Sequence, residues 1–98
     1  MTYDVVEGED QSLTVRVGGE LDMSNVEALR AAVAPALEHR PARLIIDVGE
    51  LGFADSSAIA LWVQWANAVP ELELRDARPF LCRVIETMGL SAMLKVTP

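Results

Sequence analysis

The chain has 98 residues, 51% of them hydrophobic, with a formal net charge of -7 and one cysteine. That length holds one domain with a single modest core, and that hydrophobic share argues against disorder. The eight basic residues, Arg16, Arg30, Arg40, Arg43, Arg75, Arg78, Arg83 and Lys95, are scattered, which argues against a nucleic-acid surface and against an anionic membrane partner. An acidic domain of this kind suits a soluble protein partner with a basic surface. No apolar run reaches membrane-spanning length, because Asp55, Ser56, Ser57, Gln64 and Asn67 interrupt residues 54–69. Residues 1–4 lack the basic and apolar regions of a signal peptide, and the lone Cys82 forms no internal disulfide. Both features predict a cytoplasmic protein.

In chain order, residues 3–6 read as a short edge strand and residues 8–11 as a polar turn. Leu13, Val15 and Val17 alternate with Thr14 and Arg16, the period-two pattern of a half-buried strand, so the first two strands form a hairpin. Asp22 or Ser24 then caps a helix, and Ser24 with Glu27 fits a capping box. Val26, Leu29, Val33, Ala36 and Leu37 share one face of that helix. Pro35 predicts a kink or an early end, since an interior proline costs roughly 3 kcal/mol. Pro41 marks the stop.

Residues 44–48 are apolar apart from Asp47, the pattern of a strand covered on both faces. Residues 49–55 read as a polar crossing that ends in Asp55-Ser56-Ser57, directly before an apolar helical run. That is a helix N-terminus signature, and such a terminus attracts anions. The second helix carries Ile59, Trp62, Val63 and Ala66 on one stripe and ends at Pro70. Trp62 belongs to the core. Trp65 is either a contact residue or a second packed ring. Leu72 and Leu74 alternate with Glu71, Glu73 and Arg75 in a short strand. Residues 76–79 turn into a third helix with Leu81, Val84, Ile85 and Met88 as its stripe and Gly89 just past its end. Residues 93–96 supply a final strand. The order is ββαβαβα(β), which predicts an α/β domain over residues 1–98. Its mixed sheet has four to five strands, with three main helices packed against it in two layers.

Enzyme chemistry lacks its parts. His39, the sole histidine, stands between Glu38 and Arg40 at an exposed helix end. No Cys/His cluster or HExxH motif offers a metal site, and Ser56 has no G-x-S-x-G elbow. Leu44-Ile45-Ile46-Asp47 has no accompanying GxxxxGK[ST] loop. Cys82 reads as a small apolar packing residue. No catalytic residue, cofactor or metal is expected.

By local pattern alone, Asp55-Ser56-Ser57 is a capped helix with Asp55 or Ser56 as N-cap. The turn bearing Asp22 and Ser24 and the turn bearing Asp55 and Ser56 both leave strands for helices. Parallel strands put both at one sheet edge, where α/β domains place their sites. A phosphate on Ser56 would add about -1.5 to -2 charges there. The helix dipole favours it, and Asp22 and Asp55 oppose it. Such a site toggles partner binding through charge.

Gly19-Glu20-Leu21-Asp22, then Leu44-Ile45-Ile46-Asp47, then Leu51-Gly52-Phe53-Ala54-Asp55-Ser56-Ser57, and finally Arg83-Val84-Ile85-Glu86-Thr87-Met88-Gly89-Leu90 occur in that order over nearly the whole chain. Together they resemble the STAS domain of bacterial anti-sigma factor antagonists. The resemblance implies a two-layer fold without enzymatic activity. It implies phosphorylation of Ser56, with Ser57 the second choice, by an anti-sigma factor that acts as a serine kinase, and reset by a phosphatase. The unphosphorylated form would bind the anti-sigma factor and free the sigma factor. Asp22, Met23 and Ser24 match the family's partner-contacting turn. Asp55, Ser56 and Ser57 match its phosphorylation turn, with Ala58 beside it as a contact position.

The chain departs from that pattern in two places. Ala58 stands where the family usually has glycine, which predicts a firmer helix and narrower access for a kinase. Pro70 lies in a short connection where the family often has a Gly-Gly turn. These departures motivate an alternative expectation, a constitutive STAS subunit that docks on the ATPase of a lipid-transport ABC complex. A ligand-binding or enzymatic use of the Asp22/Ser56 surface lacks a base, a metal set and a phosphate-cradling loop.

Overall fold

The computed structural model describes residues 1–97. Among them the elements run β1 (Thr2–Glu7), β2 (Ser12–Leu21), α1 (Val26–Leu37), β3 (Arg43–Asp47), β4 (Leu51–Ala54), α2 (Ser56–Ala68), β5 (Glu71–Arg75), α3 (Pro79–Thr87) and β6 (Lys95–Thr97). They build a six-stranded sheet in the order β1-β2-β3-β5-β6, with β4 paired to β2 off that path. The β1–β2 hairpin is antiparallel, and the remaining pairings are parallel.

Register explains the core. Leu13 and Val15 on β2 stand beside Leu44 and Ile46 on β3, which stand beside Leu72 and Leu74 on β5. All six are buried and form one apolar face. Leu29 and Val33 from α1, Ile59, Leu61, Trp62 and Trp65 from α2, and Leu81 and Ile85 from α3 pack on it. Both tryptophans are inside, so Trp65 is a packed ring and not a contact residue.

The alternate residues form the other face. One row across the sheet is Thr14, Ile45, Glu73 and Lys95, and the next is Arg16, Asp47, Arg75 and Thr97. Glu73 is only 8% exposed. Its carboxylate accepts from Arg43 Nη2 (2.9 Å), Arg75 Nε (2.9 Å) and Thr97 Oγ1 (3.1 Å). The Arg75 bond is the main reason its pKa falls to about 2. Interlocked polar side chains thus take the place of a second apolar layer around Ile45, which is itself buried.

Five local expectations need correction. Residues 51–54 form a strand where a polar crossing was expected, giving six strands in place of four or five. The ten residues of β2 outlast the five of β3, which ends in a turn where Asp47 Oδ1 accepts the Gly49 N–H (3.1 Å). The chain then returns to the vacated edge of β2. At α1 the N-cap is Asn25 and not Asp22 or Ser24. Asn25 faces backwards: its Oδ1 accepts the Asp22 N–H (3.0 Å) and its Nδ2 donates to Glu20 O (2.9 Å). The capping box does not form, because Glu27 pairs with Arg30 (3.1 Å).

Pro35 neither stops α1 early nor limits it, since the helix runs on to Leu37. The proline is exposed and lies in the last turn, where only one backbone bond is lost. On α3, Leu81 and Ile85 are buried but Val84 and Met88 are exposed, so its core stripe is narrower than the spacing implies. That helix closes as expected on Gly89 at φ +71. Gly89 N–H donates to Glu86 O and Leu90 N–H to Ile85 O, both 3.0 Å, a Schellman closure. No helix among the described residues is long and apolar enough to cross a membrane.

Candidate protein-docking site

Past the end of β3, the tip of β2 and the whole of β4 form a short parallel ribbon. Gly19 pairs with Leu51, Glu20 with Phe53 and Leu21 with Ala54, with a bulge between the first two pairs. Gly19 has φ +87, a backbone conformation that glycine adopts without strain. The ribbon brings both strand exits to the same level, and there Asp55 joins them. Its N–H donates to Leu21 O (3.2 Å). Its Oδ1 accepts the N–H groups of Ser57 (2.9 Å) and Ala58 (3.2 Å), and its Oδ2 accepts the N–H of Met23 (3.1 Å). One carboxylate therefore caps α2 and fastens the turn after β2.

That turn has its own brace. Asp22 Oδ1 accepts from the Ser24 N–H (2.9 Å) and from the Ser24 hydroxyl. The hydroxyl bond is the larger cause that holds the Asp22 carboxyl below its ordinary pKa. Asp22, Met23, Ser24, Asp55, Ser56 and Ser57 are thus assembled on one surface, as expected from the two strand exits. Asp55 is the N-cap and Ser56 the first helical residue. Ser56 is exposed, whereas Ser57 is half-buried with its N–H taken by Asp55.

Ala58 does not belong to this surface. It is 0% exposed and sits in the core. Its methyl group therefore points away from a visitor at Ser56 and cannot narrow the approach. His39 lies elsewhere, between the end of α1 and the start of β3. It is bonded to Glu7, whose carboxylate raises the imidazole pKa. Cys82 is half-buried with Sγ 3.7 Å from Ala77 O, a packing position.

Sequence reasoning missed Phe53. It is 49% exposed, on the outward face of the ribbon beside Glu20. Strict alternation would bury it with Leu51. The bulge at Gly52 reverses that side, and Gly52 itself was the available signal. Met23 on the neighbouring turn is 77% exposed. The segments that make this end, residues 17–29 and 48–68, carry Glu20, Asp22, Glu27, Glu50 and Asp55 and no lysine or arginine.

A six-stranded mixed sheet with three helices on its apolar face, and a serine-bearing turn at its parallel edge, define a STAS-type α/β domain. The chain belongs to the STAS domain family: residues 5–95 match the family model described as the Mlab, STAS domain. It is 31% identical over 98 residues to the proposed anti-anti-sigma factor Rv2638 of Mycobacterium tuberculosis. That alignment covers 94% of this chain, which spans 66% of the relative's length. In structure it is similar to an anti-sigma factor antagonist from Mycobacterium paratuberculosis, with a TM-score of 0.88 and 23% identity, covering 99% of this chain and 85% of that one. It is also similar to the Bacillus cell-fate determinant SpoIIAA in its phosphorylated form, with a TM-score of 0.76 and 22% identity, covering 99% and 92% of the two chains. Both structural likenesses are likenesses of fold.

Proposed function

We propose that this domain is an anti-sigma factor antagonist, a non-catalytic module that binds an anti-sigma factor and is switched off by phosphorylation of Ser56. The observation that carries the reading is the Met23–Asp55 bond (3.1 Å), which fastens the two turns together with Ser56 exposed at the start of α2. The similarity to an anti-anti-sigma factor supports it. The anti-sigma factor acts as the kinase. Ser56 Oγ forms the new P–O bond, the γ-phosphoryl group leaves ADP behind, and the hydroxyl proton passes to a base on the kinase. A phosphatase restores the hydroxyl by hydrolysis. The phosphate does not displace the cap, because Asp55 already holds the Ser57 and Ala58 N–H groups. It stands outward among carboxylates and blocks the contact by bulk and by its cost of desolvation.

The test is to incubate the protein with the anti-sigma factor and ATP and to locate phosphate by mass spectrometry. Phosphate on Ser56, retained binding by Ser56→Ala and lost binding by Ser56→Asp are the expected results. An unmodified Ser56, with Ser56→Asp still bound, defeats the switch. Co-purification with an ATPase subunit and no phosphate on Ser56 favours the constitutive lipid-transport reading instead.

A further inference from the structure

We infer that Phe53 and Met23 are the anchors by which the partner of the Ser56 surface is held, and that the partner offers an apolar socket with a basic rim. The inference rests on reading that surface as a docking site and adds what the partner must look like.

Three observations lead there. First, Met23 is the most exposed of the large apolar side chains, and Phe53 is half exposed. An aromatic ring and a methionine left in water at the end of the domain that carries Ser56 have no role in the core below them. Aromatic side chains dominate the energetics of protein contacts, and methionine adapts to imperfect sockets. Second, neither side chain is on a loose loop. The Met23 N–H is bonded to Asp55 Oδ2 (3.1 Å), and Phe53 stands in the β2–β4 register opposite Glu20. With the backbone at both positions already held, docking has only the side-chain rotamers left to order. Third, the charged side chains of the two segments around the pair are all acidic, with the Met1 amino group, which lies against Gly19, as a positive charge beside them. Glu20, Asp22, Glu27, Glu50 and Asp55 belong to the two segments that make this end, and those segments contain no basic residue. Arg30 and Arg78 stand at its margin, the first paired to Glu27 and the second bonded to Gly49 O. The complementary surface is therefore apolar at its centre and positively charged around it.

This arrangement also accounts for the direction of the switch. The carboxylate rim steers a basic partner in. A phosphate on Ser56 lies against the apolar contact, where its desolvation outweighs the added attraction.

The experiment measures the affinity of the anti-sigma factor for Phe53→Ala, Met23→Ala and Met88→Ala, with Ser56→Asp alongside. Met88 is 50% exposed at the C-cap of α3, at the end of the domain away from Ser56, and serves as the control. All three truncated side chains are exposed, and unchanged thermal unfolding verifies that the variants fold. Phe53→Ala is expected to weaken binding tenfold or more and Met23→Ala about threefold to tenfold. Met88→Ala is expected to stay within twofold of wild type, and the association rate is expected to fall steeply with added salt. If Phe53→Ala and Met23→Ala bind within twofold of wild type while Ser56→Asp is released, the anchors are wrong and the Ser56 reading survives. If wild type and Ser56→Asp bind alike, the Ser56 reading fails and the inference falls with it. If sedimentation shows that the free protein dimerises and that Phe53→Ala abolishes the dimer, the occupant is a second copy and the inference is overturned.

Discussion

Asp55 connects parts of the chain that are 32 residues apart through its bond to the Met23 N–H. Removing its side chain frees the Ser57 N–H at the start of α2 and the Met23 N–H in the neighbouring turn, while the Ala58 N–H keeps its bond to Asp55 O (3.1 Å). Asp55→Ala is therefore expected to cost about 2 kcal/mol in urea unfolding, at the upper end for a lost cap. Asp55→Asn should cost less, since asparagine also caps. Glu73 gives a pH prediction. Its folded pKa of about 2 lies below the ordinary 4.5, so its contribution is complete above pH 4.5 and is lost as pH falls from there through about 2. Glu73→Gln should lower stability at pH 7 by about 2 kcal/mol, with the arginine partners' exposure moderating the effect, and should flatten the acid limb of the stability profile. His39 has the opposite sign. Its raised pKa means that the Glu7 contact contributes below pH 6.5 and fades as pH rises through the folded value. An NMR titration should place the His39 pKa above 6.5, and Glu7→Gln should return it. The Asp55 cap was legible in the sequence because such caps are written in a few adjacent residues, whereas Asp22 was expected to cap α1 and instead braces the turn before it. The burial of Glu73 was not, because it depends on Arg43, thirty positions away.

The elements with whole apolar faces were readable: β2, β3, β5, α2 and the ends of α3 follow period and punctuation. What failed were the elements whose register is set by a neighbour. β4 has four residues and one fully buried side chain, and its bulge hides the alternation that would reveal a strand. The start of α1 depends on where the preceding turn lets Asn25 reach, which Ser24 and Glu27 do not disclose. Ala58 was read as a surface departure, yet α2 turns that position inward. Restoring glycine there removes a buried methyl and lowers helix propensity. Ala58→Gly is expected to cost between about 1 and 2 kcal/mol by denaturant titration, with Ser56 phosphorylation unaffected.

At the scale of the molecule, one sheet serves two purposes. Its helix-covered face supplies the core, and its charged face discourages stacking without a second layer. The two-layer class follows from hydrophobic pattern and element order. The location of the proposed docking surface follows from topology, because the parallel strands deliver both turns to one edge. The ribbon that carries those turns is held by only three register pairs and lies beyond the paired ends of β3 and β5. Its opening leaves the apolar face of β2, β3 and β5 intact. Backbone amides of residues 53 and 54 should therefore exchange with solvent far sooner than those of β3, through excursions that never unfold the domain. Circular dichroism would register such molecules as native, although the docking surface has come apart. If the proposed surface is the one that binds, the fraction able to bind is set by this local equilibrium and can fall while the global unfolding free energy stays high.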